Sequence, residues 1–210
     1  MGGIYSIDGI IPVIPESTFV HPDAVITGDV IIGEGCYIAP CASLRGDLGR
    51  IIVGKGCNVQ DNCLLHSFPG EDCVLEDNAH IGHGSVLHGA YIGFNALVGM
   101  NSVVMDGVKV GANSIIGAGS FVKAGMQIPE RSLVAGSPAR IIRTLRDDEI
   151  AWKTNGTRVY QELAQRSLKT LEPAKPLRQV EPNRQRVNCD PNSATPLHIV
   201  KQQTHEADNT

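Results

Sequence analysis

Residues 92–134 read IGFNALVGMNSVVMDGVKVGANSIIGAGSFVKAGMQIPERSLV, and an aliphatic side chain recurs at every sixth position: Ile92, Val98, Val104, Val110, Ile116, Val122, Ile128 and Val134. Glycine often follows it. A fixed hexapeptide period is the signature of a parallel β-solenoid, because each six-residue unit forms one face of a three-sided prism and eighteen residues close one coil. The spacing therefore predicts an all-β solenoid over residues 1–138.

Working outward, the same step holds at Ile14, Val20, Ile26, Ile32, Ile38 and Leu44, then at Val53, Val59 and Leu65, then at Leu75, Ile81 and Leu87. Two steps are longer. Leu44 to Val53 carries three extra residues and Leu65 to Leu75 carries four. Allowing for them, Arg45 stacks on His66 and His66 on His88, all following the aliphatic residue of one face. Stacked strands lie roughly 4.8 Å apart, so His66 and His88 can share one metal ion. Asp61 and His83 form a second column one face away. Five extended residues at about 3.3 Å each put His83 roughly 15 Å from His88, whereas two imidazoles on one zinc must approach within about 4 Å. The three histidines meet only if one comes from another chain. A prism packed around a three-fold axis would set the Asp61/His83 edge of one chain against the Arg45/His66/His88 edge of the next. The expectation is a homotrimer with a three-histidine metal site at each interface. Zinc suits such a site, and iron or cobalt fits as well. A lone histidine at a β-helix corner is ordinarily just solvated; two in register across an insertion point to a metal.

Hydrophobic residues make up 42% of the chain and aromatics only 4%, which suits a narrow prism filled by Val, Ile and Leu. Small residues recur at the inward position beside the aliphatic one: Ala42, Cys57, Cys63, Ala79, Ser85, Ala96, Ser102, Ser114 and Ser120. A net charge of −4 without a basic patch argues against nucleic acid as a partner. No apolar run approaches membrane-spanning length, and no leader pattern opens the sequence, so the expectation is a cytoplasmic protein without a membrane partner. Six cysteines without a CxxC spacing exclude zinc-ribbon and thioredoxin readings. Cys36, Cys57 and Cys63 take the small inward position, Cys41 falls at a turn, Cys73 in the four-residue insertion and Cys189 in the tail. All six are expected to be reduced.

The repeat ends at Ala135-Gly136-Ser137-Pro138-Ala139, where proline is expected to stop strand pairing. Residues 139–172 then read as a helical segment. Asp147-Asp148-Glu149 places acids at the positive end of its dipole, and Ile150, Trp152, Val159, Tyr160, Leu163 and Leu168 supply an apolar face. Gly156 is expected to break it in two. Residues 173–210, rich in Pro, Asn, Gln and charge, read as an extended or disordered tail.

Several motifs resemble the γ-class carbonic anhydrases and their relatives. They are Ser43-Leu44-Arg45-Gly46-Asp47, Asn58-Val59-Gln60-Asp61-Asn62, His66, Gly82-His83-Gly84-Ser85-Val86-Leu87-His88-Gly89, Val98-Gly99-Met100-Asn101-Ser102 and Gly136-Ser137-Pro138-Ala139. The likeness extends through Ile4 to Gly9, Pro12 to Val25, Ala151-Trp152-Lys153 and Pro176-Leu177-Arg178 to the PaaY-type branch of phenylacetate degradation and its CaiE-type relatives. That resemblance implies a left-handed β-helix, a trimer, a divalent metal on His66, His83 and His88, and hydrolysis of CoA thioesters.

Chemistry accommodates those roles. Three neutral imidazoles leave a coordination position open and lower the pKa of bound water to about 7; the resulting hydroxide attacks a carbonyl carbon. Gln60 resembles the residue that orients this water. Arg45, Asp47 and Asp61 read either as a structural ion-pair network, with Arg45 reaching Asp61 of the neighbouring chain, or as direct participants. Tyr160 resembles a tyrosine bordering the site and reads equally as packing. Efficient carbonic anhydrases of this class carry an acidic residue where this chain has Leu48, and a longer acidic loop where it has Ser67 to Asp72. CO2 hydration needs rapid proton export, so the departures favour a thioesterase over a carbonic anhydrase. A CoA-dependent acyltransferase and a non-enzymatic trimeric scaffold are the remaining readings; neither requires two histidines in register and a third across an interface.

Overall fold

A computed structural model describes residues 3–187 together with Thr195 and Ile199. The chain is a left-handed parallel β-helix of about seven coils followed by the α-helix Asp147–Thr170. The six-residue period appears as two-residue strands such as Leu97–Val98, Val103–Val104 and Lys109–Val110, each followed by a corner. Face one stacks Gly3–Tyr5, the first halves of Val25–Ile32 and Ser43–Val53, then Leu64–His66, Val86–His88, Val103–Val104 and Phe121–Val122. The two long strands bend onto face two, where Cys73–Leu75, Tyr91–Ile92, Lys109–Val110 and Gln127–Ile128 continue the stack. Face three runs from Phe19–Val20 through Tyr37–Ile38, Asn58–Val59, His80–Ile81, Leu97–Val98 and Ile115–Ile116 to Ser132–Gly136.

Corners this sharp need a left-handed backbone residue. Asn62, Asn78, Asn95, Asn101 and Asn113 supply it, with φ between 53° and 61°; asparagine tolerates that region because its short amide hydrogen-bonds locally. Inside the prism Ile26, Leu44, Leu65 and Leu87 stack in register, each fully buried. Burial of one such side chain contributes about 1.5–3 kcal/mol. The small inward serines are satisfied by carbonyls of the next coil, Ser85 Oγ donating to Gly99 O at 2.9 Å and Ser114 Oγ to Pro129 O at 3.0 Å.

Both insertions loop out at the same corner, between faces one and two, on consecutive coils, so Leu44, Leu65 and Leu87 remain partners. The loops touch at Gly49: a Cβ there would stand 2.4 Å from Phe68 O and 2.3 Å from Glu71 O, so no other residue fits. The next coil is short instead. Leu87 pairs with Val104, seventeen residues on, because the step from Leu87 to Ile92 is five.

Four expectations need correction. Pairing does not stop at Pro138: Ala139–Thr144 returns antiparallel on Ser132–Gly136, so the segment 139–172 opens with a strand, and its helix starts at the expected acids, Asp147-Asp148-Glu149. Gly156 does not break the helix, which runs unbroken through 24 residues. Cys73 is not looped out; it opens a strand and is fully buried. Leu168 is exposed, and the most buried helical side chains are Glu149, Lys153, Thr157 and Ala164, while Ile150, Trp152, Val159, Tyr160 and Leu163 are half-buried.

The polar buried stripe has a physical reason. The helix rides the corner between faces two and three, where stacked asparagines and carbonyls face outward. Lys153 Nζ donates to Asn78 O and Asn95 Oδ1, both at 2.7 Å, and Gln161 Nε2 to Asn78 Oδ1 at 2.9 Å. At the start of the helix Glu149 accepts the backbone N–H of Arg146 at 3.1 Å and both guanidinium nitrogens of Arg143 at 2.7 and 2.8 Å. That carboxylate caps an otherwise unsatisfied donor and complements the helix dipole. At the far end Gln165 Nε2 reaches Ser17 O of the first coil at 3.4 Å.

Residues 173–187 are exposed and form no helix or strand. The remainder of the expected tail lies outside the described residues, apart from Thr195 and Ile199. Among the described residues no helix is long and apolar enough to cross a membrane. Cys36, Cys41, Cys57, Cys63 and Cys73 are free thiols; Cys189 lies outside the described residues. Burial pushes Cys63 up to about 11 and Cys73 up to about 12, so neither offers a thiolate nucleophile at neutral pH.

Candidate functional site

The insertion-bearing corner gathers two imidazoles flanked by two carboxylates in one chain of contacts. His66 and His88 pair in register on adjacent coils, and His66 Nδ1 stands 3.1 Å from His88 Nε2. His66 Nε2 faces Asp47 Oδ1 at 2.9 Å, and His88 Nδ1 faces Asp106 Oδ1 at 2.5 Å. Asp47 also accepts Arg45 Nη1 at 2.6 Å. The three-residue insertion makes this possible, because it swings Asp47 from its own coil over the ring stacked above it. Burial raises the Asp47 carboxyl, but the hydrogen bond from His66 and the nearby Arg45 charge outweigh it and hold the group below its ordinary value.

An ionised carboxylate only accepts, so each imidazole places its N–H on the aspartate side. The two remaining nitrogens then present lone pairs to one another. Two nitrogens bound to one tetrahedral zinc at about 2.0–2.1 Å lie roughly 3.3 Å apart, close to the separation found here. The aspartates occupy the place that orienting carboxylates take behind metal-bound histidines. The donor set therefore fits a divalent metal.

His83 stands on the other edge of the prism. Its Nδ1 contacts Asp61 Oδ2 at 2.7 Å, and both side chains are about half exposed. Among the described residues one chain assembles no group of three or more His, Cys, Asp or Glu able to hold a metal ion.

Gln60 lies directly behind His83, and its orientation is fixed. The His83 backbone N–H, an unambiguous donor, is 3.2 Å from Gln60 Oε1, so the other amide atom is nitrogen. That nitrogen donates to Asn58 Oδ1 at 2.9 Å and to His80 Nε2 at 2.7 Å. His80 Nε2 must then accept, which leaves its Nδ1–H to reach Thr157 Oγ1 of the helix at 3.4 Å. Burial, reinforced by the Lys153 and His83 charges, pushes the His80 ring down to about 3 and keeps it neutral.

Tyr160 packs edge-on to His80 and tilted on Tyr37, with ring centroids 5.3 and 5.6 Å away. Burial, with Asp61 adding, pushes its hydroxyl up to about 12. At the mouth of the carboxylate–imidazole chain stand two exposed apolar side chains, Leu48 and Phe68. Phe68 lies edge-on to His88, centroids 4.7 Å apart.

Beside His83 and Gln60 a cleft of about 930 Å³ opens between the helix and the upper part of face three. Its floor is the outward column Leu97, Ile115 and Leu133, and its roof includes Trp152, Gly156, Val159 and Leu163.

The structure thus brings Arg45, Asp47, His66 and His88 together and holds Gln60, Asp61, His83 and Tyr160 as a second group. Arg45 contacts Asp47 of its own chain. Sequence reading missed Asp106, Asn58 and His80. Asp106 lies eighteen residues beyond His88, so the coil count that links the histidines reaches it when carried one coil further. His80 sits at an outward strand position that looks solvated until the helix covers it.

A family model described as bacterial transferase hexapeptide (six repeats) matches residues 11–46 and 89–124. The intervening stretch holds both insertions and all three candidate histidines. The carnitine operon protein CaiE of Escherichia coli O157:H7 is 52% identical over 183 residues, covering 87% of this chain and 93% of that one. CaiE of Shigella sonnei matches to the same extent. Among solved structures, a Bacillus cereus protein named a candidate acetyltransferase has a TM-score of 0.78 at 37% identity, covering 80% of this chain and 97% of its own. A hexapeptide transferase family protein from Anaplasma phagocytophilum has a TM-score of 0.75 at 34% identity, covering 78% and 96%.

Proposed function

Because this chain belongs to the hexapeptide-repeat transferase family, as a relative of CaiE, we propose that it uses that scaffold as a metal-dependent thioesterase on CoA thioesters. The observation that carries the reading is the pair of facing lone pairs on His66 and His88, each ring locked from behind by an aspartate. His66 Nδ1, His88 Nε2 and His83 of the partner subunit would hold the ion, in a homotrimer with one site per interface. When bound, a divalent ion held by three neutral imidazoles acidifies water and polarises a carbonyl.

The remaining work falls to this chain's own residues. Asp47 and Asp106 fix which nitrogen of each ring is free. Arg45 keeps Asp47 ionised. Gln60 braces the His83 backbone through its Oε1, and its second lone pair remains available to a polar group in the site. Leu48 and Phe68 give the mouth an apolar wall, and they supply no ionisable side chain to carry protons outward. That wall is why thioester hydrolysis is preferred over hydration of CO2 at the same constellation.

Thiol release from a panel of CoA thioesters, by zinc-loaded protein with and without a chelator and with no acyl acceptor added, tests the reading. Chelator-sensitive release is expected. Absence of release from metal-replete protein overturns it, and CO2 hydration becomes the next assay. Release only when an amine or hydroxyl acceptor is present identifies a transferase instead.

A further inference from the structure

Gly156 sits in the interior of a 24-residue helix, where glycine costs about 1 kcal/mol relative to alanine. Nothing local demands it. Its φ is not left-handed, and a Cβ added there would meet no atom within 4 Å. The helix is therefore not spared a clash by this glycine. Gly156 lines the cleft over face three, and the open space beyond its Cα belongs to that cleft.

Three further features mark the cleft as a binding site. Its floor and roof are apolar, with Leu97, Ile115 and Leu133 opposite Trp152 and Val159. Of the charged residues in its lining, the buried Lys153 is committed to Asn78 O and Asn95 Oδ1 and Glu162 is paired with Arg158; Arg166 is the third. One end closes on Gln60 and His83, the residues assigned to the reacting centre.

We propose that this cleft is the acyl pocket: it takes a medium-length aliphatic or an aromatic acyl group of a thioester whose carbonyl lies at the His83 end. The proposal rests on the thioesterase reading for the identity of its guest. Acetyl groups are too short to fill the space and gain little from it, whereas each buried methylene contributes about 0.8 kcal/mol, so affinity rises with acyl length. Pocket volumes of roughly 300–1,000 Å³ are those of ordinary small-molecule sites.

Trp152 is the only tryptophan in the chain and lines the cleft, so its fluorescence reports occupancy without any need for turnover. The probe is octanoyl-CoA, with acetyl-CoA and free CoA as controls, titrated into the full chain both zinc-loaded and metal-free. A saturable emission change is expected with octanoyl-CoA and not with free CoA. Gly156→Phe, which projects into open space, is expected to weaken octanoyl-CoA binding at least tenfold. Leu97→Phe fills the cleft from the floor and must act in the same direction, which guards against a helix effect in the first variant. Equal responses to free CoA and octanoyl-CoA, or unchanged octanoyl-CoA binding in both variants, overturn the pocket. Binding that saturates without hydrolysis of any thioester keeps the pocket and overturns the thioesterase reading. Hydrolysis with no dependence on either variant does the reverse.

Discussion

His66 Nδ1 and His88 Nε2 face each other across 3.1 Å while Asp47 and Asp106 hold the far nitrogen of each ring. Two acceptors at that distance repel unless a proton or a cation lies between them. A metal ion resolves the repulsion and uses both lone pairs, which gives the site a direct test.

Replacing either ring should empty it. His66→Ala and His88→Ala are each expected to abolish metal binding and hydrolysis together, read as metal per chain by elemental analysis. A full complement of metal in either variant would sink the assignment of these two residues.

Asp106 is expected to act through His88 rather than on substrate. Asp106→Asn can still accept from Nδ1–H through its amide oxygen but loses the charge, so metal affinity should fall about 10–100-fold with the thermal transition little changed. Competition against a chromogenic chelator measures this. Unaltered affinity would reduce Asp106 to a surface partner.

Gln60→Ala is expected to keep the metal and slow turnover. It also removes the acceptor of the His83 N–H and the donor to His80, part-buried groups whose loss costs up to about 1–3 kcal/mol each. The variant should therefore melt earlier as well. Wild-type rates in a metal-replete Gln60→Ala protein would confine Gln60 to packing.

His80 makes the fold acid-sensitive. Its ring is pushed down to about 3 in the folded chain against roughly 6.5 when unfolded, so the unfolded chain binds more protons between those values. Stability from this ring is fully present above about pH 6.5 and declines as pH falls toward 3. Thermal melts from pH 7 to pH 4 should drop more steeply in the wild type than in His80→Asn. Parallel slopes would mean that the buried ring takes up a proton without cost.

Lys153 works in the opposite pH range. Burial pushes its ammonium down to about 7, well below the unfolded value of roughly 10.4. Between these values the unfolded chain is the more protonated, so stability should rise with pH from about 7 to 10. Lys153→Met should flatten that rise, and a slope identical to the wild type's would place the charge in contact with water.

Much of this was legible in the sequence. The six-residue step gave the faces, and counting through the two insertions gave the His66/His88 and Asp61/His83 columns, because strand pairing in a solenoid is set by residue number alone. Corners were the opaque part. The five-residue step after Leu87 makes the next coil seventeen residues long, so Asp106 falls one position past the residue stacked on His88 and still reaches its ring. The helix defeated reading by apolar pattern because it docks on a ladder of asparagine amides and carbonyls, so Lys153, Thr157 and Gln161 turn inward where Leu168 was expected. Gly156 was read as a breaker because propensity is a local property, whereas tertiary docking holds the helix through it.

That docking has a consequence for the whole molecule. In a bare solenoid each coil touches only its neighbours, so the stack behaves as a linear chain of weakly linked units and can unzip from either end. Here the helix is anchored to the last coils through Arg143 and Glu149, grips the middle through Lys153, and touches the first coil through Gln165 and Ser17. Loosening the top coil therefore also loosens the bottom one. The ladder becomes a clasped loop that opens all at once or not at all, and the carboxylate–imidazole chain in its middle coils is shielded from fraying at either end.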